Sequence, residues 1–270
     1  MISEPSDEEL SFDVLDDVLL ASVGLRSQLR DELRLLPIIN IGPILELFHL
    51  QPKFPELLPQ ISELRRTEIV SAFIRFRETT ATSNSLNPST VEFIVPPINV
   101  FRDPYWIAFC KRLERAARNA GLDDGEALGI VGAFREMVDN AIIHSEAADS
   151  IIAAYAQREN SIEFAVADSG RGVLASLREH PDYAQVSDYG TALRLCLSDG
   201  ESRFGRGSGH GNGFRTLFLS LAGMAGRLRF RSGDHALDMH GTDRNVATSN
   251  IMQRAPYAGF VVSVQCRSNS

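Results

Sequence analysis

Two β-rich runs, SIIAAYAQRE and SIEFAVAD, meet at Asn160 after two long stretches of helical periodicity. That order constrains the fold more than any other feature of the chain. Short apolar and β-branched runs joined at an Asn read as a hairpin. Residues 104–120 and 124–144 carry apolar side chains at three- and four-residue intervals and read as helices. VEFIVPPINV reads as a strand interrupted by Pro96 and Pro97, and further strands are expected near GRLRFRS, HALDMH and GFVVSVQ. Residues 173–206 are mixed and less regular. Helices first and paired strands after predict an α+β sandwich, with helices packed on one face of a sheet.

Ahead of this pattern, Leu10, Val14 and Val18, then Leu25, Leu29, Leu33 and Leu36, recur at helical spacing, as do apolar residues from 61 to 76. Residues 1–77 are therefore expected to be mostly helical, broken at Pro37, Pro43, Pro52 and Pro55. They are expected to form a regulatory or dimerisation region. ETTATSNSLNPST, residues 78–90, has linker composition, which leaves 91–270 as a second domain.

A net charge of −8 and a pI near 5.3 argue against bulk attraction to nucleic acid or anionic membrane, so neither is expected as a partner. The most apolar run, LLPIINIGPILELF, contains two prolines and Glu46 and falls short of the ~18 residues that span a bilayer. The acidic start, MISEPSDEELSFDVLDD, is the opposite of a signal peptide. Cys110, Cys196 and Cys266 show no CxxC spacing, hence no zinc signature and no disulfide framework. A cytoplasmic protein is expected.

Three clusters carry chemistry. In FREMVDNAIIHS, Glu136, Asn140 and His144 lie four apart on one helix face, with Asp139 beside them. Val131, Phe134, Val138, Ala141 and Ile142 occupy the opposite side. A carboxylate and a carboxamide one turn apart present hard oxygens suited to hydrated Mg²⁺. Alone, the same face would also suit plain solvation. In VADSGRGV, a strand ends in Asp168, and Gly170 and Gly172 follow. An aspartate at a strand end can accept from an exocyclic amino group, and glycines permit sharp turns and close approach. In GRGSGHGNGF, Gly205, Gly207, Gly209, Gly211 and Gly213 alternate immediately before a helical pattern, with His210 among them. Such a loop offers successive backbone N–H groups and a helix dipole to one anion. No Lys–Ser/Thr pair follows, so it is not an ordinary P-loop.

The order of these clusters (helix with Glu and Asn, hairpin ending in DxGxG, irregular segment, GxGxG at a helix start) resembles the GHKL superfamily of histidine kinase-like ATPases. The resemblance covers roughly residues 91–266. It implies a mixed, mainly antiparallel sheet in a two-layer sandwich, and ATP with Mg²⁺ as ligands. Asn140 would coordinate the metal, and Glu136 would act as general base. Asp168 would bind the adenine amino group, helped by Gly170 and Gly172. Gly207, Gly209, Gly211 and Gly213, with His210, would wrap the phosphates, and His144 would touch the phosphate or ribose side. Residues 174–206 would form a lid.

REMVDNAIIHS has Glu136 where typical histidine kinases often carry a second Asn, and is similar to gyrase-type enzymes and anti-sigma-factor serine kinases. The compact length and the apolar helix after the glycines favour the latter. The expected function is therefore an Mg-ATP-binding regulatory protein. It would transfer the γ-phosphate to a partner's Ser/Thr or hydrolyse ATP to switch a partner interaction. An atypical histidine kinase of a two-component system and an ATP-gated module with little turnover are the alternatives, and a homodimer is left open. A histidine kinase needs an acceptor histidine, for which His49 is the candidate ahead of the ATP module. Pro52 and Pro55 break the helix it would need.

Overall fold

The computed structural model of the protein describes residues 9–21, 26–79, 90–100, 102–197, 225–240 and 250–268. Within them lies a five-stranded sheet in the order β1-β2-β3-β5-β4, every pair antiparallel. The strands are β1 (Val91–Ile94), β2 (Ile152–Arg158), β3 (Ser161–Ala167), β4 (Ala225–His240) and β5 (Asn250–Arg267). The expected hairpin is β2–β3, with Arg158 opposite Ser161. Strand alternation sends Ile162, Phe164 and Val166 to one core and Ala165 and Ala167 to another.

Helices α5 (Pro104–Asn119) and α6 (Asp124–His144) cover the first face. Both begin where the sequence supplies a cap. Asp103 accepts the Trp106 amide at 2.8 Å with Pro104 at the first helical position, and Asp123 and Glu126 form a reciprocal capping box. Trp106 stacks on Phe134 at 5.5 Å between centroids, and Phe134 meets the edge of Phe164 at 5.7 Å. This half is the expected α+β sandwich.

The opposite face is covered as well. Helices α1 (Phe12–Leu20), α3 (Ile41–Leu50) and α4 (Glu68–Glu78) pack on the sheet, and α2 (Arg26–Leu35) packs on α1. Ile44, Leu47 and Phe73 meet Phe93, Ala154, Ala165 and Val261, where the small alanines let the helices come close.

Two polar fastenings hold these helices to the sheet. The buried carboxylate of Glu163, on β3, accepts the Ile41 and Gly42 amides at 2.9 Å each and the Ser263 hydroxyl at 3.0 Å. It thereby caps α3 from another element, since Asn40 provides no side-chain cap. Beside it, Arg229, Arg231 and Arg254 meet Asp16, Glu46 and Asp238 in a buried, charge-balanced network. Burial raises Asp16, and this outweighs the neighbouring Arg229. Burial also acts to raise Glu46, but Arg229 and Arg231 prevail and hold it below its ordinary range. Breaking one partner of such a network leaves an uncompensated charge, which costs far more than the intact network contributes.

Three expectations are corrected. Pro43 does not break a helix: it sits third in α3, in the first turn, where its missing N–H has no intrahelical partner to lose. GRLRFRS and HALDMH are one strand, β4, because the Ser232–His235 stretch is a bulge with register shifts rather than a turn. The mixed segment after residue 172 contains α7 (Gly172–Leu177) and α8 (Tyr189–Leu197), packed around Leu174, Leu177, Tyr183 and Ala192. Gly233 has φ +61°, and a Cβ there would overlap the Tyr189 ring, so α8 leans directly on the bulge.

Candidate nucleotide site

Helix α6 buries Phe134, Met137, Val138 and Ala141 against the sheet and leaves Glu136, Asp139, Asn140 and His144 half-buried on its other side. At 1.5 Å per residue, Glu136 and His144 are roughly 12 Å apart along the axis, with Asn140 midway. Burial raises the Asp139 carboxyl above its ordinary value, against the nearby Arg135. The helix ends at His144, because Ser145 is the cap and Glu146 takes a left-handed φ of 57°.

The end of α6 is tied to the DSGRG turn. Arg171 donates its amide to the Ser145 carbonyl at 3.0 Å and its Nε to the His144 carbonyl at 2.9 Å. Its Nη1 also pairs with Glu146 at 3.0 Å and Glu179 at 2.6 Å. His144 Nδ1 lies 3.1 Å from the Ser176 hydroxyl on α7. Arg171, between Gly170 and Gly172, is thus a clamp that spacing alone gave no reason to select.

Asp168 sits one residue past β3 and is fully buried. Its Oδ1 accepts the Gly170 amide at 2.7 Å, while its buried Oδ2 has no hydrogen-bond donor among the described residues. Burial pushes its carboxyl up to about 7, offset in part by the Gly170 and Phe260 amides. A buried carboxylate oxygen without a donor fits a ligand that brings an N–H, and an exocyclic amino group does so. The buried Tyr257 hydroxyl also lacks a partner among the described residues. Burial, and after it the Asp168 charge, hold that phenol well above its usual range.

The glycines around Asp168 make room for the protein's own backbone. A Cβ on Gly170 would overlap the Ser145 carbonyl. Gly172 has φ +76°, and a Cβ there would lie 2.8 Å from Ser232 Oγ and 3.0 Å from the Gly259 carbonyl. Ser232 Oγ donates to that carbonyl at 2.7 Å and accepts the Val173 amide at 3.0 Å, joining α7 to both β4 and β5. Gly259 and Ser232 were missed at the level of sequence; the AGF step before the final apolar run is the signal that marks Gly259.

The structure thus brings His144, Asp168, Gly170 and Gly172 to one end of the sheet, with Asn140 and Glu136 one and two turns back along α6. Gly207, Gly209, His210, Gly211 and Gly213 lie outside the described residues. Among the described residues, no cluster of three or more His, Cys, Asp or Glu side chains could hold a metal, and no helix is long and apolar enough to cross a membrane.

An α+β sandwich whose capped helix ends against a DxGxG turn is the arrangement that the GHKL resemblance implies. Residues 105–210 match the family model described as the histidine kinase-like ATPase domain. The matched span runs from the start of α5 through α8 into the second glycine cluster. No curated protein and no solved structure matches the chain.

Proposed function

We propose that the protein is a cytoplasmic, Mg-ATP-dependent regulatory kinase that transfers the γ-phosphate to a serine or threonine of a partner protein. The observation that carries the reading is the buried, donorless Oδ2 of Asp168 beside the end of α6. In this reading Asp168 accepts the adenine amino group and so selects adenine over guanine, which presents a carbonyl there. His144 lies on the ribose or phosphate side, and the glycines from Gly207 to Gly213, with His210, wrap the phosphates.

Asn140 contributes its carboxamide oxygen to Mg²⁺, which when bound neutralises charge on the phosphates. Asn140 suits that role, being half-buried on the same helix face as Glu136. Glu136 takes the proton from the acceptor hydroxyl as its oxygen bonds to the γ-phosphorus and the bond to the β-phosphate oxygen breaks. With water as acceptor, the same groups would hydrolyse ATP and switch a partner interaction.

One observation weighs against autophosphorylation on histidine. His49 lies on α3, its Nε2 is buried, and burial, with Arg77 adding to it, lowers its pKa to about 4. A phosphoacceptor must meet the γ-phosphate, and this imidazole packs against Phe48 and Tyr257 instead. Incubation with γ-labelled ATP and cell extract tests the proposal. Acid-stable label on a partner serine or threonine supports it, acid-labile label on the protein supports a histidine kinase, and tight binding without label supports an ATP-gated module.

A further inference from the structure

On the sheet face turned away from α6, a cavity of about 430 Å³ opens between the starts of α1 and α3 and the ends of β3, β4 and β5. Phe12 and Pro43 form its apolar wall, and Arg158, Arg227, Gln265 and Arg267 line it from the sheet. Most charges around it are already matched. Arg229 belongs to the buried network, and Arg227 pairs with Asp13 at 3.2 Å. Glu163 is held by the α3 amides, and Glu9 accepts from Asn40 at 3.2 Å. Among the described residues neither Arg158 nor Arg267 makes a direct ion pair, although the Arg158 charge acts to lower the Glu163 carboxyl that burial raises.

Strand register brings these two together. Arg158 is opposite Ser161, and Ser161 is opposite Arg267. The two arginines therefore share one row across β2, β3 and β5, about 10 Å apart at the backbone. Residues in one row leave the sheet on the same face. Two long guanidinium side chains at that spacing can converge on a single anion above Ser161, and their planar forks match carboxylate and phosphate oxygens. A bare ion would fill little of the space, which lies within the range of small-molecule sites. Glu9 and Glu163 on the same walls disfavour a polyanion such as a nucleic acid.

We propose that this cavity binds a small metabolite bearing one carboxylate or phosphate group, with Arg158 and Arg267 on the anion and Phe12 and Pro43 against its carbon part. Its walls come from both the N-terminal helices and the sheet, so the ligand stabilises their docking by mass action. The site is separate from the nucleotide site and does not depend on it.

The test is thermal unfolding of the full chain titrated with sodium phosphate and, separately, sodium butyrate, against sodium chloride at matched ionic strength. A saturable rise in Tm with at least one probe is expected, and the probe that works identifies the class. Arg158→Gln combined with Arg267→Gln should weaken that response at least tenfold, while Asp168→Asn leaves it intact. Should the double variant not fold, Arg158→Lys and Arg267→Lys, which keep the charge but lose the fork, must each weaken it. No saturable response to either probe, an equal response in the arginine variants, or loss in Asp168→Asn would each overturn the proposal.

Discussion

Gly259 on β5 lies directly against Asp168: a Cβ there would overlap both the Asp168 carbonyl oxygen and Oδ1. Its φ of +80° adds a conformation that L-residues avoid. Gly259→Ala should therefore push β5 off the end of β3. Expected are a loss of roughly 2 kcal/mol or more in unfolding free energy and weakened ATP binding, read by urea unfolding and calorimetry. Wild-type values for both would mean that the contact does not shape the site.

Asp168 also makes stability depend on pH. Its carboxyl rises from 3.8 to about 7 on folding, chiefly through burial. The folded state therefore prefers the protonated form. That stabilisation is fully present below about pH 4 and is lost as pH rises through 7, at a limiting slope of about 1.4 kcal/mol per pH unit. Asp168→Asn should gain on the wild type between pH 4.5 and 8 in urea unfolding. ATP affinity should move the other way, rising toward pH 7 and then levelling, because the charged carboxylate is the better acceptor. A gap between the two proteins that ignores pH contradicts this.

Glu163 is predicted to fasten the N-terminal helices to the sheet. Glu163→Ala leaves the buried Ile41 and Gly42 amides and the Ser263 hydroxyl without their acceptor. A cost of about 2–4 kcal/mol follows from unsatisfied buried donors and a lost cap. Hydrogen exchange should show α3 opening before the core around Phe134. Unchanged α3 protection would contradict the assignment.

Glu136 and Asn140 should separate catalysis from binding. Asn140→Ala is expected to lose Mg²⁺-dependent ATP binding. Glu136→Gln should keep binding and slow turnover by ~10²–10⁴, the range for a general base. Turnover at the wild-type rate in Glu136→Gln would remove the carboxylate from the chemistry and favour an ATP-gated module.

Helices α5 and α6 and the β2–β3 hairpin were legible in the sequence because period and caps agree there: Asp103–Pro104, Asp123–Glu126 and Asn160 mark the boundaries. The bulge in β4 was not. Its Ser-Gly-Asp step carries turn chemistry, and only pairing with β5 reveals a continuous strand. Nor was the seat of the N-terminal helices evident, although β2 and β3 gave a sign of it. IAAYA and FAVA are apolar at both parities, the mark of a strand buried on both faces. The residues that complete the surroundings of Asp168, namely Arg171, Ser232 and Gly259, are distant from one another in sequence. Backbone contacts between α7 and the β4–β5 pair select them, and no spacing encodes those.

Asp168 as the adenine acceptor is the central feature of the proposed site. Calorimetric titration of wild type and folded Asp168→Asn with Mg-ATP and Mg-GTP at pH 8 tests it. Wild type should bind ATP and prefer it to GTP. The variant should lose roughly 1.5–3 kcal/mol of ATP affinity, the scale of a charge-assisted hydrogen bond. Equal ATP affinity in the two proteins would contradict the account.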